Sequence, residues 1–96
     1  MTAIFDLMLY DTDTATILAH DAYHDGKNWE RGGTNTYLYR TPQKKLFFMQ
    51  YLTTKQGDES YLKPLSLSDA VTLYHRLREK EFPFEKMFPG ITIENA

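Results

Sequence analysis

Cysteine is absent from the chain. No disulfide can staple the fold, no thiolate can serve as nucleophile, and cysteine-based zinc sites are excluded. Small secreted domains usually lean on disulfides, so the absence favours a cytoplasmic protein. No apolar run approaches the roughly 18–20 residues of a membrane span, and no membrane partner is expected. The apolar stretch Ile4–Tyr10 follows no basic segment and is interrupted by Asp6, so no signal peptide is expected. Basic charge is not in excess: 11 Lys and Arg face 13 Asp and Glu, a net charge of −2. A protein gripping phosphates ordinarily presents a positive face, so direct nucleic-acid binding is not expected. There is no internal repeat and no low-complexity tract.

What is present suits one small packed domain over residues 1–96. Hydrophobic residues make up 42% of the chain and aromatics 15%, more apolar material than a disordered chain carries. A domain of this size buries roughly 60–65% of its unfolded surface, so its stability should be modest.

Alternation of apolar and polar residues predicts strands. One is expected over Ile4–Tyr10, with Phe5, Leu7 and Leu9 on one face. Asp11-Thr12-Asp13-Thr14 favours a turn, because short polar side chains bond nearby backbone groups. A second strand is expected from Thr14 to Ala22, then a polar, glycine-bearing connection over Tyr23–Asn35. The aromatic stretch Thr36–Leu52 predicts a hairpin, strands Thr36–Arg40 and Lys45–Thr53, about the turn Thr41–Lys45. On that register Tyr37, Tyr39, Phe47, Met49 and Tyr51 share one face, and Leu38, Arg40, Leu46, Phe48 and Leu52 the other. Gln56–Glu59 reads as a turn and Ser60–Lys63 as a short edge strand ended by Pro64.

Ser66, three residues before Asp69, reads as the N-cap of a helix running to Phe82, with Ala70, Leu73, Tyr74 and Leu77 as its packing stripe. Pro83 stops it, Phe84–Phe88 suits one further helical turn, and Ile91 and Ile93 suggest a strand-like end. The expected fold is α+β: an antiparallel β-meander of four to five strands packed against one C-terminal helix.

Catalytic motifs are lacking. Gly32-Gly33 is not followed by the Gly-Lys-Ser/Thr of a phosphate loop. His20 and His24, with Asp21, Asp25 and His75 as further donors, form the one metal-like cluster. Residues four apart on a strand lie about 13 Å apart, so a solvated loop end is the plainer reading, and no metal or cofactor is expected. Asp11 and Asp13 as an acid–base pair compete with their reading as a turn. Lys44, Lys45 and Lys55 with Tyr39 and Tyr51 resemble a single-strand-binding face only weakly. The better interaction candidate is the loop Tyr23–Asn35, with Trp29 and Arg31, residue types common at interface hot spots, the alternative being that Trp29 folds over the sheet as a cap.

Tyr10-Asp-Thr-Asp-Thr-Ala15, Leu38-Tyr39-Arg40-Thr41, Leu46-Phe47-Phe48 and Pro64-Leu65-Ser66 together resemble a set of small uncharacterised proteins of bacteria and their phages. Those open with a Tyr-Asp-Thr-Asp/Glu-Thr-Ala segment. The chain departs from them at Lys44-Lys45, where a turn glycine is usual, and at Leu73-Tyr74, where the helix often has Trp. The resemblance implies the fold and a bacterial or mobile-element origin, and it carries over no catalytic residue. The expectation is therefore a non-enzymatic protein-binding inhibitor working in the cytoplasm of a bacterial host cell, in its sharpest form an anti-CRISPR protein that blocks an effector. Asp21, Asp25, Glu30, Asp58 and Glu59 would face the effector's basic channel, with Trp29 as apolar anchor. The alternatives are a small metal-dependent or acid–base enzyme using His20, His24, Asp11 and Asp13, and a module that self-associates as a homodimer through a sheet edge and Phe82–Phe88.

Overall fold

The computed structural model describes residues 1–22 and 33–96. Its centre is a five-stranded antiparallel sheet. In chain order its members are β3 (Thr16–His20), β4 (Thr34–Arg40), β5 (Phe47–Thr53), β6 (Tyr61–Leu65) and β7 (Glu79–Lys80), and they lie in the order β6-β5-β4-β3-β7. A separate two-stranded ribbon, β1 (Thr2–Phe5) and β2 (Met8–Asp11), precedes them. Helix α1 (Leu67–Arg76) and the single turn α2 (Phe84–Met87) complete the α+β fold.

Each face of the large sheet is covered. Leu18, Ala19 and Leu38 pack against Ala70, Leu73, Tyr74 and Leu77 of the α1 region and against Met87 and Phe88. On the opposite face Tyr39, Phe48 and Leu62 pack against Tyr10, with Ala3 and Met8 of the ribbon beside them. The sheet is thus the middle of three layers. A bulge makes this possible in β3. Ile17 lies opposite Tyr39 and Ala19 opposite Leu38, with Leu18 extra between them. The extra residue turns both Leu18 and Ala19 to the helix side while Ile17 stays with the ribbon.

The β4–β5 register differs from the expected one. Tyr39 lies opposite Phe48 and Tyr37 opposite Gln50, whereas Leu38 faces Met49 and Arg40 faces Phe47. The connection spans residues 41–46, with Lys45 at φ 54°, one residue longer than the polar run suggests. A single residue in a loop exchanges the faces of a strand. Phe47 and Met49 therefore lie under the helix, and Phe48 with Tyr39 under the ribbon.

Other boundaries shift for identifiable reasons. Ile4–Tyr10 is a hairpin rather than one strand, because Asp6 and Leu7 take φ 50° and 63° and reverse the chain. β3 is shorter than expected at both ends. β6 runs through Pro64, which lies opposite Phe48. That is tolerated because β6 is an edge strand, where a missing N–H breaks no second ladder. α1 stops at Arg76, six residues before Phe82, and Leu77 is extended and buried. The chain then pairs Glu79 and Lys80 with His20 and Ala19, and the Glu81 amide donates to the Leu18 carbonyl at 2.9 Å. Closing the β3 edge satisfies backbone groups that helix propensity alone would leave unpaired. Lys80 donates to the Leu77 carbonyl at the end of the helix and lies 5.5 Å over the Tyr74 ring. Ile91–Ala96 forms no strand; Ile91 packs on the core and Ile93 is exposed.

The helix start agrees with its sequence. Ser66 is extended, and its Oγ accepts the Asp69 amide at 3.1 Å. Ser66→Ala is expected to lower stability by about 1 kcal/mol. Thermal melts that coincide with the parent's would show that the cap contributes nothing. Gly33 opens β4 at φ 84°, where a Cβ would run into Thr54 Oγ1. The connection before β4 needs glycine there.

Tyr39 supplies a pH prediction. Its hydroxyl donates to Gln50 Oε1 at 3.0 Å inside the ribbon-side core. Burial, then the neighbouring Tyr37 and Asp13, push its pKa up to about 12. Burial also raises Tyr37, with Asp21 adding, and raises Tyr74, with Glu85 adding. A folded pKa raised above the unfolded value near 10 means full stability below pH 10, lost as pH climbs toward 12. The Tyr39 share is on the order of 2 kcal/mol. In urea titrations between pH 8 and 12, Tyr39→Phe should start less stable, because Gln50 loses a partner, yet fall more gently. Parallel slopes would contradict this.

Candidate functional site

The N-terminal ribbon carries the most unusual surface. Its alternation sends Ala3, Met8 and Tyr10 inward and leaves Ile4 and Leu9 outward. Ile4 and Leu9 are direct cross-strand partners. They are 70% and 62% exposed. The outer face of an antiparallel ribbon is normally polar; here its central pair is aliphatic. Phe5, beside the turn, sets its ring against Tyr10 at 5.9 Å and keeps an exposed edge.

Leu7 extends the patch at the turn. A two-residue hairpin of this kind needs positive φ at both central positions, for which Asn-Gly or Asp-Gly is the usual choice. Asp6 fits that rule. Leu7 does not: it takes φ 63° and leaves its side chain 97% exposed. The left-handed conformation costs a leucine about 1–2 kcal/mol, and the fold recovers none of it by burial. Strain at an exposed apolar residue is grounds for suspecting function. Leu67, Tyr61 and Ile93 are also exposed, but singly exposed apolar residues are ordinary and need no explanation.

Beside the ribbon lies a groove of about 400 Å³. One wall is β2 with Leu7; the other is the β4–β5 connection, including Pro42, Lys44 and Leu46. The Thr41 amide donates to the Leu46 carbonyl at 2.8 Å, and Thr41 Oγ1 accepts the Leu46 amide at 2.9 Å, so the second wall is braced. Asp11 also lines the groove, and its Oδ1 accepts the Asp13 amide at 2.9 Å. That bond makes Asp11–Asp13 a turn, the simpler of the two readings given to the pair.

The residues singled out in the sequence are scattered. Asp21 is not a surface acid. It is buried, and its Oδ1 accepts the Thr36 amide at 2.7 Å, joining the end of β3 to the start of β4. Asp58 and Glu59 are exposed in the β5–β6 turn. Asp58 Oδ2 accepts the Tyr51 hydroxyl at 2.7 Å, a bond that lowers the carboxyl pKa and raises that of the phenol. Trp29, Arg31, Asp25, Glu30 and His24 lie outside the described residues. His20 Nε2 bonds Glu81 Oε1 at 2.9 Å, its ring stacks on Tyr37, and its Nδ1 accepts the Ala22 amide at 3.2 Å. An accepting Nδ1 places the ring proton on Nε2. His75 lies against Phe84 at 4.9 Å. Among the described residues no three His, Asp or Glu side chains converge as a metal site, and no helix is long and apolar enough to cross a membrane.

Sequence reasoning missed Leu7, because within an apolar run it reads as an ordinary strand residue sharing a face with Phe5 and Leu9. The available signal was Asp6, the one polar residue in Ala3–Tyr10. No family model, curated protein or solved structure matches the chain.

Proposed function

We propose that the protein acts by binding another protein rather than by catalysis, and that Ile4, Leu7 and Leu9 form the contact. The observation that carries this reading is Leu7, held in a strained conformation with its side chain in solvent. Burying such a side chain against a partner yields roughly 2 kcal/mol, and three exposed aliphatic side chains on one short hairpin make a small anchor set. The test places a photo-reactive amino acid at Leu9, and in a control at Leu67, exposed on α1. Illumination in bacterial cytoplasm should give a discrete protein adduct from the first position only. Equal labelling from both positions, or none from either, overturns the reading.

The narrower form of the proposal is an inhibitor from a phage or mobile element, acting in the host cytoplasm against a CRISPR effector. It is supported by the resemblance in Tyr10–Ala15 and Leu38–Thr41 and by the exposed Glu59. Effector cleavage assays with and without the protein address it: undiminished cleavage across effector types leaves a binding protein of another kind.

A further inference from the structure

We infer that the groove-side edge of β2 takes an extended, apolar, acid-bearing segment of the partner as an added strand. This rests on the protein-binding reading above and specifies the ligand. Among the described residues β2 has one strand neighbour, β1, and no described strand pairs with its other edge. In a two-residue hairpin the pair next to the turn exchanges hydrogen bonds and the following pair does not. Phe5 and Met8 flank the turn, and Ile4 and Leu9 follow. The Leu9 amide and carbonyl therefore point away from β1, and Leu9 lines the groove together with Leu46 and Pro42. An unpaired edge beside an apolar trough is the arrangement by which strands are added to sheets.

Size selects among occupants. The ribbon has four-residue strands, about 13 Å long at strand rise. Its outer face is far smaller than the roughly 800 Å² per partner of a stable dimer. A second copy is therefore poorly matched to this surface, whereas a groove of about 400 Å³ suits a short extended segment. Charge selects the chemistry. Lys44 lines the groove and is exposed. Asp11, the one acid among its described lining residues, already accepts the Asp13 amide. A carboxylate seated beside Lys44, on the connection wall of the groove, is attracted and a basic residue seated there is repelled, whereas Asp11 lies on the β2 wall.

The test is fluorescence anisotropy with the intact chain. The probe is a labelled heptapeptide of alternating valine and threonine with a terminal glutamate. One control replaces the central valine by proline, and another replaces the glutamate by lysine. The first peptide should bind, the proline version about tenfold more weakly because it cannot complete the ladder, and the lysine version more weakly as well. Lys44→Glu, in an exposed turn, should reverse the order of the acidic and basic peptides. Equal binding of the proline control, no binding of the first peptide, or an unchanged order in Lys44→Glu overturns the inference. So does a dimer by light scattering that Leu9→Asp abolishes, since the edge would then belong to a second copy. If photo-adducts form at Leu9 while the peptides fail, protein binding stands and strand addition falls; if both fail, both fall.

Discussion

Phe48→Ala is expected to lower stability by about 3–5 kcal/mol, the usual loss for a fully buried phenylalanine. Phe48 is 0% exposed and lies at the centre of the ribbon-side core. Its ring stacks on Tyr39 at 5.0 Å, inclined 11°, and meets Tyr10 edge-on at 5.3 Å. Those contacts join three parts of the chain: β5, β4 and the N-terminal ribbon. A domain of this size holds about 5–14 kcal/mol in total, so the loss is about a fifth of it or more. The ribbon should loosen first, because Phe48 is the fully buried centre of the cluster on which Tyr10 and Met8 pack. Phe47→Ala is expected to cost only about 2 kcal/mol. Phe47 stacks on Phe88 at 5.1 Å but remains half-buried. Urea unfolding of the two variants measures the contrast. If Phe47→Ala proves the more damaging, the two faces of the sheet are assigned the wrong way round.

That contrast turns on what a sequence can carry. Alternation in Thr36–Thr53 is plain, and so is the hairpin, because the period of a strand is written in the residues themselves. Which residues share a face is not, because it depends on the length of the connection, and Lys45 gives no sign of its positive φ. The bulge at Leu18 is hidden for a similar reason: Thr16-Ile-Leu-Ala-His20 is apolar enough to accept either register. Ser66 and Pro64-Leu65 mark the helix start by local chemistry, and the start was legible. Its end was not. Arg78-Glu79-Lys80-Glu81 is composed of good helix formers, and the need to close the β3 edge overrides them. The candidate site was the least legible part. Sequence rules point to polar, glycine-bearing loops as places of recognition. Here the suspect surface is an apolar turn, visible only once Leu7 is seen to face solvent.

Leu7 should therefore respond to substitution in opposite senses, in stability and in binding. Leu7→Gly relieves a left-handed leucine, worth about 1–2 kcal/mol, and gives back about 0.5–1 kcal/mol in the greater freedom of the unfolded chain. The net expectation is a fold unchanged or more stable by up to about 1.5 kcal/mol. The apolar side chain 97% exposed at this turn is gone, and with it about 2 kcal/mol of partner contact, roughly a 30-fold loss of affinity. Leu7→Asp keeps the turn, since aspartate tolerates positive φ, and should bind more weakly still, because a carboxylate must be desolvated at an apolar contact. Urea unfolding gives the first quantity; adduct yield from the photo-reactive residue at Leu9, in the Leu7 variants, gives the second. A structural role predicts the reverse pattern: Leu7→Gly destabilises by more than about 1 kcal/mol and the adduct persists at parental yield. A residue that serves the fold is missed by the fold. If Leu7 serves recognition, its removal should leave a sounder protein that no longer holds its partner.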